Sequence, residues 1–494
     1  MRSLRPDQSA ALANLRQAMR DNLKHIIMQA PTGAGKTVIA SELVMRARAK
    51  GKKALFIVPA ISLVDQTVEM FASQGIMDVG VIQANHRQTD GCMPVQIASV
   101  QSLQKRDMPE SDVVMIDEVH KYFECYGKWM RSADVWLNKP VIGLSATPWR
   151  KGLSPLFTRL IRASTTQELI DAGLLSDYKV FSPSHPDLEG IKTVAGEYHE
   201  GELAERMSNV KLVGNAVETW LEHGRGRPTL VFAVDCAHAK HLQAQFTERG
   251  VRTAYQDAFT KSSDRAAIKR GFHDGSIEVV CNVGTLTTGV DWDVRCIVLC
   301  RPTKSEMLFV QIMGRGLRTA NGKDHLLVLD HSDNHLRLGF VSDIDAQHTE
   351  LLTGKESTST VTDRIRLPKE CPACSFLKAP GVATCPACGF KAMAHCKIAP
   401  TAGELKELER KKKEEADRIE PRVFFAELLA YGQERGYNPG WAANKFKTKF
   451  GHWPNGMKDV APAAGVSPKT RGWIKSRQIA WAKSRHNPNN FSTA

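Results

Sequence analysis

The chain of 494 residues begins with a regular alternation of short apolar runs and amphipathic stretches. Apolar or β-branched runs of roughly five residues are typical of strands that are buried on both faces of a parallel sheet. The stretches between them have helical periodicity. This alternation predicts an α/β fold in which helices cover both faces of each sheet. The runs that predict strands lie at 25–28, 53–59, 95–103, 112–116, 141–148, 229–234, 277–283 and 296–300.

The alternation occurs in two blocks, which predict two α/β domains in tandem at residues 1–165 and 166–345. A chain of this length exceeds what one hydrophobic core can hold. Residues 168–175 predict a linking helix that a glycine ends. Residues 182–200 are rich in Ser, Pro and Gly and have weak periodicity, which predicts a loop there.

A glycine-rich turn connects the first predicted strand to a helix. Residues 30–37 read Ala-Pro-Thr-Gly-Ala-Gly-Lys-Thr, and this context of strand, turn and helix is what a phosphate-binding loop requires. Gly33 and Gly35 allow backbone N–H groups to face the phosphates, while the helix N-terminus favours negative charge. Lys36 can reach the β- and γ-phosphates, and the Thr37 hydroxyl can hold Mg²⁺. The strict spacing has glycine at the first position, where this chain has alanine, so a chance turn is the alternative.

An acidic pair follows the strand at 112–116, in the sequence Asp-Glu-Val-His. The carboxyl end of a buried parallel strand is where a nucleotide site needs such side chains. Asp117 can hold Mg²⁺, and Glu118 can polarise the attacking water. The Ser-Ala-Thr sequence at 145–147, after the next strand, can relay hydrogen bonds between the nucleotide and a second ligand.

The second predicted domain has no Gly-Lys-Thr loop of its own. Its segment 309–318 instead places Gln311, Arg315 and Arg318 at i, i+4 and i+7, on one face of a helix. Two arginines on one face indicate an anion opposite them, and an arginine that reaches a γ-phosphate across a domain cleft accelerates hydrolysis. We therefore expect the second domain to complete the nucleotide site of the first. The alternative is a solvated basic face.

The composition narrows the class of protein further. The net charge of +14 favours a polyanionic partner, nucleic acid before membrane. The eleven cysteines have no regular framework, which argues against a secreted disulfide protein. The N-terminus has no apolar signal core, and no stretch approaches the roughly 18 apolar residues of a membrane span. These features predict a cytoplasmic protein.

Two Cys-x-x-Cys pairs stand ten residues apart after the second predicted domain. Four thiolates at this spacing suit a tetrahedral Zn²⁺, and a site of four cysteines is closed and structural. We therefore predict a short zinc ribbon at residues 366–396. Its ligands are Cys371, Cys374, Cys385 and Cys388.

The composition then changes twice. Residues 397–420 mix acids and bases with almost no aromatic residue, which predicts a charged helical linker. Residues 421–494 hold twelve Lys or Arg against three acids, and four tryptophans. Bases interleaved with aromatic rings suit single-stranded nucleic acid, so a small, mostly helical, basic region that binds nucleic acid or a partner is predicted. For Trp441 and Trp453, a place in a small core is the favoured alternative.

In order and spacing, these motifs resemble superfamily 2 helicases of the DEAD/DEAH type over about residues 1–345. The acidic box has Val119 where the commoner form has alanine. The resemblance implies two RecA-like domains with ATP and Mg²⁺ between them and nucleic acid across their tops. It also implies that Arg5 and Gln8 read adenine.

The same resemblance implies three sets of site residues. The catalytic residues are Lys36, Asp117, Glu118, Gln311, Arg315 and Arg318. The ATP-binding residues are Arg5, Gln8, Thr32, Gly33, Ala34, Gly35, Lys36, Thr37, Asp117, Gly289 and Asp291. The nucleic-acid contacts are Pro59, Ser99, Gln101 and Thr285.

A second resemblance involves the C-terminal part of the chain. The Leu-Asp-His-Ser-Asp-Asn of 329–334, the four cysteines of the ribbon, and the segments 424–429, 435–443 and 445–447 are similar to RadD-type ATPases. This resemblance implies a bacterial or phage protein of DNA repair or recombination. It also implies a place near single-strand-binding protein or recombination proteins.

The sequence thus predicts an ATP-dependent DNA helicase or translocase that acts on single-stranded or branched DNA in repair, recombination or replication. Its cofactors are ATP, Mg²⁺ and a structural Zn²⁺, and its place is the cytoplasm of a bacterial or phage-infected cell. Motor motifs of this kind contact the nucleic-acid backbone, so an RNA helicase is the first alternative. A non-catalytic nucleic-acid scaffold is the second.

Overall fold

The computed structural model describes residues 4–83, 86–150, 152–194, 196–208, 210–287, 291–351, 367–391, 420–438 and 440–485. The chain divides into two compact units, Met1–Ala394 and His395–Ala494. In the described part of the chain, no helix is long and apolar enough to cross a bilayer.

A seven-stranded parallel sheet forms the first half of the larger unit. Its strands are β1 His25–Gln29, β2 Ala54–Val58, β3 Val79–Ile82, β4 Val95–Ser99, β5 Val113–Ile116, β6 Val141–Ser145 and β7 Arg159–Arg162. They lie side by side in the order β3-β4-β2-β5-β6-β1-β7. The accompanying helices are α1 Pro6–Arg20, α2 Lys36–Arg48, α3 Val64–Ser73, α4 Val100–Leu103 and α5 Glu124–Arg131.

Both faces of this sheet are buried, as its apolar runs predict. Successive residues of a strand point to opposite faces, and in β1 Ile26 and Met28 pack into the apolar cluster that includes residues of α1 and α2. Ile27 points the other way, into a cluster with Tyr126 and Trp136. Each such side chain stabilises the fold by about 1.5–3 kcal/mol on burial.

A second parallel sheet of six strands follows. Its strands are β8 Asp177–Phe181, β11 Thr229–Phe232, β12 Thr253–Gln256, β13 Val279–Asn282, β14 Cys296–Leu299 and β15 His325–Asp330, in the order β12-β13-β11-β14-β15-β8. Its helices are α6 Thr166–Asp171, α7 Glu200–Met207, α8 Val210–His223, α9 Cys236–Glu248, α10 Ser262–Asp274, α11 Glu306–Gly316, α12 Asn334–Leu338 and α13 Val341–Gln347.

The segment 182–200 is more ordered than the sequence predicts. It contains a hairpin of β9, Thr193–Val194, and β10, Glu197–Tyr198. The prediction of a plain loop was therefore wrong, because strands of two residues are too short to produce a periodic pattern.

The end of the second half returns to the first. On α13, the buried carboxylate of Asp345 accepts hydrogen bonds from Gln29 Nε2 (3.0 Å), the last residue of β1, and from the backbone N of Thr166 (2.7 Å), the first residue of α6. Three residues further on, His348 Nε2 lies 2.7 Å from Glu306 Oε2, at the start of α11. The segment 341–348 thus connects the strand before the phosphate loop with the helix that carries Arg315.

The cysteine segment forms a small antiparallel ribbon, β16 Lys369–Glu370 and β17 Leu377–Lys378. It covers the outer edge of the second sheet. The backbone N of Ser182, just after β8, donates to the Ser375 carbonyl (2.9 Å), and the rings of Phe181 and Phe376 meet edge to face at 5.4 Å. An exposed edge strand is prone to pairing with other chains, and the ribbon prevents this at β8.

The smaller unit is helical, with α14 Pro421–Glu434, α15 Gly440–Phe450 and α16 Pro468–Arg485. Phe424, Leu428 and Phe446 are buried in its core. The predicted place of Trp441 beside a small core is confirmed, whereas that of Trp453 was wrong, because 44% of Trp453 is exposed.

The predicted fold class is confirmed: two parallel-sheet α/β halves, a four-cysteine ribbon and a helical C-terminal region. The change from the first sheet to the second falls between β7 and β8. Of the predicted charged linker, residues 397–419 lie outside the described residues.

Candidate nucleotide site and four-cysteine cluster

The phosphate loop lies between β1 and α2 and takes its shape from two glycines. Gly33 and Gly35 have φ angles of 89° and 80°, which a residue with a Cβ adopts only with strain. The carbonyl of Ala34 between them accepts hydrogen bonds from Arg5 Nη2 (2.6 Å) and Gln8 Nε2 (3.0 Å). Residues of α1 and its N-terminus therefore hold the loop from behind.

This arrangement occupies both ends of the Gln8 amide. Its Oε1 accepts from the backbone N of Arg5 (3.1 Å), and the side chain is 2% exposed. Neither residue lines the cavity in front of the loop. The structure thus assigns Arg5 and Gln8 a supporting position, while adenine recognition by them stays a prediction.

The acidic pair follows β5 directly, and Lys36 of the loop reaches it. Lys36 Nζ lies 2.8 Å from Glu118 Oε1. Burial, together with the neighbouring Glu118 carboxylate, raises the pKa of Asp117 to about 6. Burial would also raise the pKa of Glu118, but the neighbouring basic groups, Lys36 foremost, together outweigh it and the pKa is lowered. The two carboxyl groups thus differ in acidity: Glu118 is ionised over a wider pH range, whereas Asp117 loses its proton only near pH 6.

His120 joins the two halves of the molecule. Its Nε2 lies 2.8 Å from Gln311 Nε2 on α11, and its Nδ1 lies 2.9 Å from Ser145 Oγ at the end of β6. An amide nitrogen can only donate, so Nε2 of the ring accepts and Nδ1 carries the proton. Burial lowers the pKa of His120 to about 4, which keeps the ring neutral at pH 7. Gln311 Nε2 also donates to Thr147 Oγ1 (3.1 Å).

Helix α11, which carries Gln311 and Arg315, packs directly against the phosphate loop. Arg318 lies two residues beyond its end, so the prediction that it shares their helical face was wrong. A Cβ on Gly314 would lie 2.6 Å from the Cβ of Thr32, so only glycine allows this approach. Arg315 is 6% exposed and donates from Nε to the Thr287 carbonyl (2.9 Å). Burial, with Arg318 nearby, lowers the pKa of Arg315 to about 10, so the guanidinium stays charged at neutral pH.

One cavity of about 980 Å³ collects residues from both halves. Most of the predicted catalytic and ATP-binding residues meet there. Gln311 is buried at the contact with His120 instead, and Gly289 lies outside the described residues. The predicted residues that line the cavity are Thr32, Gly33, Gly35, Lys36, Thr37, Asp117, Glu118, Asp291, Arg315 and Arg318.

Sequence reasoning missed His120 as a site residue. The available signal was its position two residues after Glu118, in the Asp-Glu-Val-His box. Its partner Gln311 lies 191 positions away, so only the fold reveals the contact.

Two family models match the chain. The model described as the res subunit of type III restriction enzymes matches residues 2–150, and the helicase conserved C-terminal domain matches residues 211–320. The chain belongs to superfamily 2 of the helicases. The two matches fall on the two parallel sheets, so each half of the cavity comes from one of them.

One relative is a Saccharomyces cerevisiae protein, IRC3, whose name describes it provisionally as an ATP-dependent helicase. It is 30% identical over an alignment of 355 positions, which covers 66% of this chain and 51% of that protein. The chain therefore spans about half the length of this relative.

Two solved structures have a similar fold. One is a fragment of the HsdR subunit assigned to a type I restriction enzyme of Vibrio vulnificus, with a TM-score of 0.55 and 20% identity over 70% of this chain and 67% of that one. The other is the type ISP restriction-modification enzyme LlaBIII bound to DNA, with a TM-score of 0.51 and 18% identity over 66% of this chain and 27% of that one. At these identities the likeness shows the fold alone.

The predicted nucleic-acid residues lie at the carboxyl edges of the sheets. Gln101 Nε2 donates to the Pro59 carbonyl (2.9 Å), which brings the ends of β2 and β4 together. Ser99 is fully buried, and its Oγ accepts from the backbone N of Ser102 (3.1 Å), so it caps α4. Thr285 follows β13 in the second sheet. Contact of these residues with nucleic acid stays a prediction.

The four cysteines of the ribbon form a cluster whose Sγ atoms all lie within 4.8 Å of one another. The Sγ atoms of Cys371 and Cys388 are 3.7 Å apart, as are those of Cys374 and Cys385. A tetrahedral zinc with bonds of about 2.3 Å places its sulfur ligands about 3.8 Å apart. The cluster is therefore compatible with Zn²⁺.

Proposed function

We propose that the chain is an ATP-dependent DNA helicase or translocase that acts on single-stranded or branched DNA. One observation carries this proposal: the phosphate loop and acidic pair of the first sheet share a cavity with Arg315 and Arg318 of the second. A site assembled from two halves ties the state of the nucleotide to the distance between them, which is what a motor requires.

Each residue of the cavity has a role in this proposal. Lys36 and the backbone of the phosphate loop hold the β- and γ-phosphates, while Thr37 and Asp117 hold Mg²⁺, which neutralises phosphate charge when bound. Glu118 orients and polarises the attacking water. Arg315 and Arg318 stabilise the charge that develops on the γ-phosphate, as arginines do at other domain clefts.

The contact between His120 and Gln311 transmits the state of the site to the DNA-binding edges. His120 is hydrogen-bonded to Ser145 at the end of β6 and lies 3.3 Å from Glu118 Oε2. A change around Glu118 on hydrolysis therefore alters the hold on Gln311 of the second half. Pro59, Ser99, Gln101 and Thr285, with the loops that carry them, contact the DNA backbone in this proposal.

DNA is the proposed substrate for two reasons. The similar restriction enzyme LlaBIII has DNA bound in its structure. Helices α15 and α16 of the smaller unit carry nine Lys or Arg and no acid, which suits phosphates. RNA is the competing substrate in the test below.

The remaining parts of the proposal follow the sequence. Zn²⁺ binds the four cysteines as a structural ion. The domains extend over residues 1–165, 166–345, 366–396 and 421–494, with a linker at 397–420. A role in repair or recombination beside single-strand-binding protein, in the cytoplasm of a bacterial or phage-infected cell, rests on the resemblance to RadD-type ATPases.

Displacement of streptavidin from biotinylated oligonucleotides tests the motor directly. The purified protein with ATP is expected to displace streptavidin from one end of a single-stranded DNA and not from the same RNA sequence. Displacement from RNA alone would make the protein an RNA motor. A parallel assay on forked duplexes then separates unwinding from movement alone.

A further inference from the structure

Phe259 is the most exposed large apolar side chain among the described residues, at 88%. It lies in the loop between β12 and α10. Single exposed apolar residues are common on protein surfaces and need no explanation by themselves. Phe259 differs because the loop that carries it is fixed.

The side chain of Asp257 organises this loop. Its Oδ1 accepts hydrogen bonds from the backbone N of Phe259 (2.9 Å) and of Thr260 (2.8 Å), and Tyr255 OH donates to its Oδ2 (2.8 Å). From the helix side, Arg265 Nη2 donates to the carbonyls of Asp257 and of residue 258, both at 2.9 Å. The ring is thus presented to solvent on a rigid turn, and a ligand that contacts it pays little ordering entropy.

The loop stands beside the proposed DNA contact of the second half. β12 and β13 are parallel neighbours, with Gln256 opposite Asn282 at their ends. The backbone N of Val283 donates to the Gln256 carbonyl (3.3 Å), so the two loops leave the sheet side by side. Neighbouring strands are about 4.8 Å apart. Phe259 and Thr285, each three residues beyond its strand, therefore emerge at the same edge.

We infer that Phe259 stacks on one base of the single strand that the second half holds. This inference rests on the proposed DNA motor and extends it, because the backbone contacts of the motor do not touch bases. An exposed ring on a fixed turn is a stacking platform, and stacking tolerates every base because each has a π-face. The exposed Lys261, two residues on, offers a cation to the adjoining phosphate.

The loop beside Phe259 leads to the nucleotide site. Thr287 Oγ1 donates to the Gly284 carbonyl (3.0 Å), and the Thr287 carbonyl accepts from Arg315 Nε (2.9 Å). The loop that begins at Val283, next to the turn that carries Phe259, is thus hydrogen-bonded to Arg315 of the nucleotide site. Phe259 is a positioning residue for the strand and takes no part in hydrolysis.

The test uses the full-length protein and a single-stranded DNA oligonucleotide. Phe259→Ala is expected to weaken binding by about 5- to 150-fold, the range for loss of one stacked ring. The salt dependence of binding stays unchanged, because no charge is removed. ATP hydrolysis without DNA also stays unchanged, and so does the melting temperature, since the ring is exposed. Met77→Ala is the matched control. Met77 is also highly exposed, at 73%, but it precedes β3 and so lies at the amino ends of the strands of the first sheet.

A series of oligonucleotides with a single abasic position identifies the base. The wild type is expected to bind the oligonucleotide with one particular abasic position about 5- to 150-fold more weakly than the others. Phe259→Ala is expected to lose this dependence on position. If the wild type binds DNA and Phe259→Ala binds it equally well, the stacking inference is wrong and the motor proposal stands. If the wild type binds no DNA, the proposed function itself fails and the inference with it.

Discussion

The Nε2 atoms of His120 and Gln311 lie 2.8 Å apart. They connect the Asp-Glu-Val-His segment of one half with α11 of the other. Both side chains are buried, so neither finds water as a substitute partner. A buried polar group that loses its partner costs about 1–3 kcal/mol. Breaking this contact between the two halves is therefore costly. His120 Nδ1 also lies 3.3 Å from Glu118 Oε2.

Gln311→Ala and His120→Ala are expected to lower kcat for ATP by roughly tenfold or more, with a smaller change in KM, because the contact positions groups instead of binding substrate. Their effects should not add. A double-mutant cycle should give a coupling of about 0.5–3 kcal/mol, as for residues in contact. Gln245→Ala, on the exposed side of α9, serves as the control. Strict additivity would mean that the two residues act independently.

Arg315→Ala is expected to reduce the DNA-stimulated rate of ATP hydrolysis by about 10³-fold or more, the effect of removing an arginine from a γ-phosphate. Arg315→Lys should rescue little of this, because a lysine lacks the fork of donors. Binding of a fluorescent ATP analogue should persist. Arg249→Ala, whose ion pair with Glu218 is exposed, is the control. Full activity of Arg315→Lys would show that a point charge suffices there.

Asp117→Asn is expected to abolish hydrolysis and to stabilise the folded protein. The pKa of Asp117 is raised from 3.8 to about 6 in the folded state, so its ionised form destabilises the fold. That penalty is absent below the unfolded pKa and complete once the pH has risen through the folded pKa. The gain in melting temperature from Asp117→Asn should therefore be largest above about pH 6 and shrink as the pH falls toward 4. A gain that does not vary with pH would contradict this assignment.

Replacement of Cys371 and Cys374 by serine is expected to release one zinc per chain, measured by elemental analysis of the purified protein. The ribbon packs on the outer edge of the second sheet, away from the cavity, so hydrolysis without DNA should continue. Cys92→Ser is the matched control, because Cys92 is an exposed cysteine outside the four-cysteine cluster. Loss of hydrolysis in the double variant alone would show that the ribbon supports the motor core.

Removal of residues 421–494 is expected to weaken DNA binding and to flatten its dependence on salt, because twelve basic residues leave with this segment. Within it, Lys447 Nζ lies 4.5 Å from the centre of the exposed Trp453 ring. Trp453→Ala should weaken binding without altering the salt slope. An unchanged slope in the truncated protein would exclude the basic region as a DNA contact.

The sequence predicts the first sheet and its phosphate loop because the information there is local. The apolar run before residue 30, the two glycines and the Lys-Thr pair fall within a dozen residues and allow few structures. The same holds for the cysteine ribbon. In each case a short pattern and its chemistry agree.

Other parts of the site depend on contacts between distant residues. Asp345 bonds to Gln29, 316 positions earlier, and no local pattern marks either residue. For Arg5 and Gln8 the local sequence does give a signal, because it resembles an adenine-reading pair. Their hydrogen bonds to the Ala34 carbonyl, however, appear only in the fold. Burial of Trp453 was also predicted from composition, which cannot distinguish a core ring from one that lies on a surface loop.

The most direct test of the composite site is the rate of ATP hydrolysis by the purified protein, alone and with single-stranded DNA, duplex DNA, forked DNA or RNA. Glu118→Gln provides the blank, because it keeps the size of the side chain and removes the carboxylate that we propose polarises water. We predict a rate well above this blank that single-stranded or forked DNA increases strongly. A wild-type rate equal to that of Glu118→Gln under every condition would contradict the account.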